Sequence, residues 1–297
     1  SASSNSVPGL LLEDNKDIYK AMKLAYNKIK DQVEVTDLYI MGYSLGGSNA
    51  AVLSYIDEKE KAFNFKRVFM VNPPVNLYDS AVKLDKYLDG YTGGKSAGIE
   101  KLLNTTLAKI KGGLTSEYAN IGADTIYNIV KGDILSDAEK KAYIGLAFRL
   151  ASTDLNFISD FITKSHIYTK NPEKVDKYTN MKEYFKAVNF ATFEDYVNKI
   201  GFPYYKKYNK DLTTEDLKEK ASLRVIEDYL RTSPKIAAVT NADELILNEK
   251  DFAFLKDVFK DRLIIYPKGG HCGNMFYKEN VDVMLKFINE GVLKYEN

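Results

Sequence analysis

A short apolar run, Asp37 to Met41, feeds directly into Gly42-Tyr43-Ser44-Leu45-Gly46-Gly47, and a helix-forming segment follows. No other stretch limits the possible folds as strongly. A serine set between a strand and a helix sits on so sharp a turn that the residues two positions to either side must be nearly free of side chain. Glycine stands at both, Gly42 and Gly46. The G-x-S-x-G spacing alone recurs by chance, so its weight comes from the strand before it and the helix after it. Together they predict a nucleophile elbow, with Ser44 at the carboxyl end of a strand in an α/β unit.

The rest of the chain supplies the sheet. Ile18, Ala21, Met22, Ala25 and Ile29 recur at helical spacing after the acidic pair Glu13 and Asp14, predicting an amphipathic helix up to about Lys30. After Ser44, Ala50 to Ile56 continues as a helix. Arg67 to Val71 is a second strand, stopped by Asn72-Pro73-Pro74 because proline has no N–H for a ladder. Lys235 to Thr240, opened by Pro234, is a third strand, and Arg262 to Tyr266 a fourth. Asn248 caps a helix with Phe252, Leu255, Val258 and Phe259 on one face. Asn280 is placed to cap the last helix, with Val281, Met284, Leu285, Phe287 and Ile288 as its buried stripe. This alternation predicts the α/β class: a parallel, helix-covered sheet built from residues 1–74 and 235–297. Residues 75–234 carry helical patterns and no convincing strand: Ser136 to Leu150, two shorter helices headed by Asn180 and Thr192, and another from Thr214 with Glu215 and Asp216. A parallel crossover needs only about a dozen residues, so this insertion predicts a helical cap.

Composition narrows the function. The 297 residues are 45% hydrophobic and 28% charged, enough for a large core in a soluble protein. Forty-two basic and 41 acidic residues leave a formal charge of +1 and are interleaved along the chain, so nothing points to nucleic acid. The single cysteine, Cys272, excludes an internal disulfide and a cysteine-based zinc cage but leaves the compartment open. No apolar run approaches the roughly 20 residues of a membrane span, and no cofactor or metal is implied. The chain opens Ser1-Ala2-Ser3-Ser4-Asn5-Ser6 without an initiator Met, as in a processed product, a tag remnant or a piece of a longer protein. A signal peptide further upstream would make it an exported one.

A serine hydroxyl needs a base to act as a nucleophile at neutral pH, commonly a histidine oriented by a carboxylate. The chain has two histidines. His271 lies in Pro267-Lys268-Gly269-Gly270-His271-Cys272-Gly273, a glycine-rich loop directly after the fourth strand, whereas His166 lies inside the helical insertion. His271 is therefore the candidate base. In Thr240-Asn241-Ala242-Asp243-Glu244, Asp243 stands just past the third strand and is the candidate acid, with neighbouring Glu244 as the alternative. Ser44, Asp243 and His271 all fall at carboxyl ends of parallel strands, where ligands bind in open α/β sheets. Cys272 is a weak rival nucleophile, since adjacent residues rarely face one another. The insertion's aromatics, among them Phe185, Phe190, Phe193, Phe202, Tyr204 and Tyr205, could line an acyl pocket, though such side chains are more often core or interface.

Through Gly42-Tyr43-Ser44-Leu45-Gly46, Asp243 and His271, in the order Ser, Asp, His, the whole chain resembles the α/β-hydrolase superfamily. The helical insertion matches where that superfamily carries its cap. More loosely, residues 1–9, Asn72-Pro73-Pro74 and Gly269-Gly270-His271-Cys272-Gly273-Asn274-Met275 look like a bacterial branch of it. The resemblance implies a serine hydrolase: Ser44 attacks a carboxylic ester or related acyl substrate, His271 moves the proton, and Asp243 holds the imidazole. Its partner would be a small acyl molecule, lipid-like ones included, held under an apolar cap. An acyltransferase using the same triad, or a binding protein that keeps the fold without activity, are the alternatives. The Leu45 backbone N–H would be one oxyanion donor. The second normally sits on a glycine-rich loop upstream of the elbow, yet Gly9 is the only glycine before Gly42. The superfamily also sets its elbow strand in mid-sheet, with further strands upstream. The expectation is a chain lacking those strands, with an exposed apolar edge beside Asp37 to Met41.

Overall fold

The computed structural model describes residues 4, 7–113, 135–169, 175–182, 184, 188 and 191–294. In chain order its main elements are α1 (Leu11–Ile29), β1 (Tyr39–Tyr43), α2 (Leu45–Glu60), β2 (Arg67–Val71), α3 (Leu77–Thr92), α4 (Ser96–Gly113), α5 (Asp137–Ala151), α6 (Thr153–Thr163), β3 (Ile236–Asn241), α7 (Glu249–Phe259), β4 (Leu263–Tyr266) and α8 (Lys278–Glu290). The four strands form one all-parallel sheet in the order β1-β2-β3-β4. This is an α/β protein. Two compact units divide the chain: Ser1–Ser80 with Tyr204–Asn297, and Ala81–Pro203.

The sheet belongs to the first unit and has helices on both faces. On one, Tyr19 of α1 and Leu53 of α2 pack with Phe63 and Phe65, and Leu38 and Ile40 join them from the β1 side. Asp57, buried at the end of α2, ties this layer together. It accepts from the Tyr19 hydroxyl at 2.5 Å and from the backbone N–H groups of Phe63 and Phe65 at 3.0 and 3.2 Å. On the other face, Phe69 and Val71 of β2, Ala237 and Val239 of β3 and Tyr266 of β4 pack against Phe287 of α8. Arg67 reaches the carboxyl end of α8, donating to the carbonyls of Ile288 and Asn289 at 2.5 and 3.3 Å, where cation and helix dipole reinforce each other.

Coverage is uneven across the sheet. β3 is buried along its whole length and β2 along most of it, whereas β1 alternates between exposed and half-buried. Register pairs Tyr39, Met41 and Tyr43 with Arg67, Phe69 and Val71, so these three share the α8 face. They are nevertheless 38%, 51% and 58% exposed, while Phe69 and Val71 are buried. Among the described residues β1 has a neighbour only in β2, and its other edge is open.

Several boundaries move from the sequence expectation. β1 runs Tyr39 to Tyr43 rather than Asp37 to Met41, because the parallel ladder carries Gly42 and Tyr43 alongside Met70 and Val71 up to the serine. α8 starts at Lys278, with Asn280 already inside its first turn. The Asn280 amide donates to the Asn274 carbonyl at 2.6 Å and closes the preceding loop instead of capping the helix. Leu285, expected in the buried stripe, is 48% exposed; Val283 and Phe287 are the buried positions of α8. Residues 75–80 and 204–234, expected with the insertion, fall in the sheet's unit. Backbone and side-chain bonds hold them there: Leu223 N–H and the Ser222 hydroxyl donate to Val75 O at 2.8 and 3.1 Å, and the Tyr229 hydroxyl pairs with that of Ser54 at 2.8 Å.

The second unit, as described, is helical. The segments expected from Ser136 and Thr192 form with capping boxes at those residues, while the one expected from Asn180 lies largely outside the described residues. At its centre α5 meets α3, where a β-carbon on Gly145 would lie 2.6 Å from Leu84 O, so only glycine permits the approach. One turn on, Arg149 is 3% exposed and forks onto two carboxylates: Asp85 Oδ1 accepts from Nε and Nη2 at 2.9 and 2.8 Å, and Asp89 from Nη1 and Nη2 at 2.8 and 3.0 Å. Burial pushes the Asp85 carboxyl up, opposed by the Phe193 N–H and by Arg149. Truncating a buried ion-pair partner leaves the other charge uncompensated. Arg149→Ala should therefore cost about 3–5 kcal/mol in denaturant unfolding; a loss below about 0.5 kcal/mol, as for an ordinary surface substitution, would remove this cluster from the account.

Candidate functional site

Ser44 occupies the junction of β1 and α2 with φ 52° and ψ −132°, a conformation L-residues rarely adopt. Two backbone bonds hold it there. Its N–H donates to Val71 O at 2.8 Å, extending the β1–β2 ladder one residue past β1, and its carbonyl accepts from Gly47 N–H at 2.9 Å. From α2, the Ser48 hydroxyl donates to Pro74 O at 2.7 Å and fastens the helix start to the turn after β2. The need for glycine is one-sided. A β-carbon on Gly42 would lie 2.0 Å from Gly46 O, whereas one on Gly46 would meet nothing within 4 Å. The expectation of equal crowding at both positions is thus corrected.

His271 comes to Ser44 from the loop after β4. Its Nε2 lies 2.8 Å from Ser44 Oγ, and its Nδ1 lies 2.8 Å from Glu244 Oε1. The loop needs unusual backbone: Gly269 at φ 153°, Gly270 at 56° and Cys272 at 64°. A β-carbon at Gly269 would sit 2.4 Å from Asn274 Cγ and 2.5 Å from Asn241 Oδ1. Those two amides face each other, the Asn274 amide donating to Asn241 Oδ1 at 2.7 Å and that of Asn241 to Asn274 Oδ1 at 3.0 Å. Asn241 also donates to Gly270 O at 2.8 Å, and Asn274 to Lys268 O at 3.1 Å, so the carbonyls flanking Gly269 are both tied down.

The acid that meets the histidine is Glu244, which corrects the expectation of Asp243. Asp243 is exposed, and its Oδ1 accepts from Gly270 N–H at 2.8 Å, so it holds the loop backbone rather than the imidazole. One residue on, the turn that joins Glu244 N–H to Asn241 O leads the chain inward toward buried Ile246 and Leu247. The Glu244 side chain is fully buried. Its Oε1 accepts from Leu245 and Ile246 N–H at 2.8 and 3.2 Å, and its Oε2 from the Asn72 amide at 2.5 Å. With acceptor roles on both oxygens, Glu244 calls for a hydrogen on His271 Nδ1. That tautomer leaves Nε2 free to accept from the serine hydroxyl. Sequence reasoning assigns Asn72, Asn241 and Asn274 no role in the site: Asn72 stands out there as a strand end and, with Asn274, as part of stretches that carry the resemblance, and no local pattern marks amides that act across the chain.

The other sequence candidates fall elsewhere. Leu45 is the first residue of α2, and its side chain is 47% exposed; its N–H belongs to the helix turn whose donors lack intrahelical partners. His166 is exposed on a turn of the helical unit, where Asp160 takes the N–H groups of Ile167, Tyr168 and Thr169 at 2.8–3.0 Å. Burial, reinforced by Glu244, pushes the Cys272 thiol up to about 11, opposite to what a thiolate nucleophile needs. Tyr204 and Tyr205 stack edge-on and line, with Leu10, Tyr208, Leu212 and Leu217, a cavity of about 410 Å³ that none of Ser44, Glu244 and His271 lines. Phe193 packs on Tyr196, while Phe185 and Phe190 lie outside the described residues. Among the described residues no group of three or more His, Cys, Asp or Glu side chains could hold a metal ion, and no helix is long and apolar enough to cross a membrane.

No family model matches the chain, and no curated protein matches it.

Two substitution pairs test this geometry. Gly42→Ala should lower the thermal midpoint by several degrees while Gly46→Ala leaves it within about a degree; equal effects would contradict the one-sided packing. Glu244→Gln puts an N–H2 group among donors, so phosphonylation of Ser44 by a fluorophosphonate should slow about 10²–10⁴-fold. Asp243→Asn, which keeps an oxygen for Gly270 N–H, should change the rate less than about threefold. The reverse order would restore Asp243 as the acid.

Proposed function

We propose that this chain is a serine hydrolase of the α/β-hydrolase type that cleaves carboxylic esters or related acyl compounds through an acyl-enzyme. The observation that carries the reading is the relay from Ser44 Oγ through the His271 ring to the buried Glu244, with both contacts at 2.8 Å. In it, Ser44 Oγ attacks the acyl carbonyl as its proton passes to His271 Nε2, and the imidazolium formed is stabilised by Glu244. Collapse of the tetrahedral intermediate sends that proton to the leaving alkoxide. Water then attacks the acyl carbonyl as Nε2 takes its proton, and collapse of this second intermediate returns that proton to Ser44 Oγ as the acid leaves.

The negative oxygen of each intermediate needs donors aimed at it before it forms. Leu45 N–H is one. A second donor completes the hole in this reading, and its absence would cost about 10²–10³ in rate.

The test is turnover. p-Nitrophenyl acetate should be hydrolysed with a burst of nitrophenolate equal to the active serine, and Ser44→Ala should abolish both burst and fluorophosphonate labelling. A folded parent protein that shows neither would leave a binding role for this fold. Added alcohols report the acceptor: esters formed faster than free acid would make it a transferase.

A further inference from the structure

Resting on that reading, we infer that Asn72 is a positioning residue for the reaction: its side-chain amide fixes the orientation of Glu244 and thereby that of His271. Asn72 follows β2 directly and is 1% exposed. Its backbone N–H donates to Val239 O at 2.8 Å, while its φ of 47° departs from the strand. Asparagine is among the few side-chain-bearing residues that accept this left-handed conformation readily. The conformation therefore favours asparagine at the position just after β2, where the site needs a donor.

The Asn72 amide lies between acid and base. Its Nδ2 donates to Glu244 Oε2 at 2.5 Å and stands 3.4 Å from Gly270 O, the carbonyl next to His271, and 3.5 Å from Thr240 Oγ1. The division of labour on Glu244 gives the contact its importance. Oε1 holds the Leu245 and Ile246 N–H groups and the imidazole, while Oε2 has the Asn72 amide. A carboxylate turns easily about its last torsion, which has broad minima rather than sharp staggered wells. Without Asn72, Oε2 would be buried and unpaired, and the carboxylate would twist to share the donors at Oε1. His271 Nδ1 would then lose alignment, and Nε2 its hold on the serine proton. Asn241 holds the same Gly270 carbonyl at 2.8 Å and so leaves the Asn72 amide chiefly to the acid.

Two variants separate this role from simple packing. Asn72→Asp keeps size and tolerance of the backbone but offers Glu244 an acceptor, and Asn72→Gly deletes the amide while keeping the conformation accessible. Folding is followed by circular dichroism and thermal melting. With p-nitrophenyl acetate, kcat should fall about 10–100-fold in each with KM within about twofold, and the fluorophosphonate rate should fall in parallel. Folded variants that both keep parental kcat would overturn the inference. A second readout needs no turnover: the His271 ring N–H proton, identified by its loss in His271→Gln, should give a sharp NMR signal in the parent and vanish through solvent exchange in both variants. An unchanged signal would equally overturn it. If the parent neither turns over nor is labelled, the hydrolase reading fails by itself, and this NMR comparison still decides whether Asn72 orients the ring.

Discussion

A carboxyl group removed from water must find its hydrogen bonds inside the protein, and the arrangement around Ser44 follows from how Glu244 does so. Its fully buried side chain draws donors from three directions: the backbone of its own turn, the amide after β2 and the imidazole after β4. Those directions correspond to three adjacent strands, β3, β2 and β4. An unpaired acceptor at such depth costs about 1–3 kcal/mol, so each donor is under pressure to stay. Shared donors and acceptors thus register three strand ends against one another, and the imidazole inherits that registration.

The turn that carries Ser44 is built differently. Acid and amide follow the two best covered strands of the sheet, whereas Ser44 follows the edge strand, whose Tyr39, Met41 and Tyr43 stand open on one face. Its position depends on strain held locally: a left-handed serine bonded to Val71 O and a helix start fastened through Ser48 to Pro74. Both anchors lead back to β2 and the turn after it. β2 thereby joins the two halves of the site, ending on its β1 side at the serine and on its β3 side at Asn72.

The features that sequence shows well are those with local causes. Strand, glycine turn and helix around Ser44 follow from neighbouring residues, as do the capped helices headed by Ser136, Thr192 and Asn248. His271, which meets Ser44, was legible because glycines on both sides of it mark a loop with unusual backbone. The carboxylate that meets it was not: Asp243 and Glu244 follow the same strand, and the turn that takes Glu244 inward is closed by a bond from Glu244 N–H to Asn241 O. Asn72 and the Asn241–Asn274 pair act over many residues of separation, which no spacing encodes. The placement of residues 204–234 was hidden for a similar reason. Helical patterning there cannot tell which surface a helix buries, and Tyr229 meets Ser54 only in the folded chain. The crowding at Gly42 and the space at Gly46 look identical in the motif and differ only in three dimensions.

Hydrogen bonding at Glu244 sets which nitrogen of His271 is protonated, and so which one is free to accept from the Ser44 hydroxyl. The ¹⁵N NMR spectrum of the imidazole at neutral pH distinguishes the two tautomers, with only two histidines to assign. Neutral His271 should carry its hydrogen on Nδ1, with Nε2 unprotonated toward Ser44. A ring protonated mainly on Nε2 would contradict it, because that nitrogen could not take the serine proton.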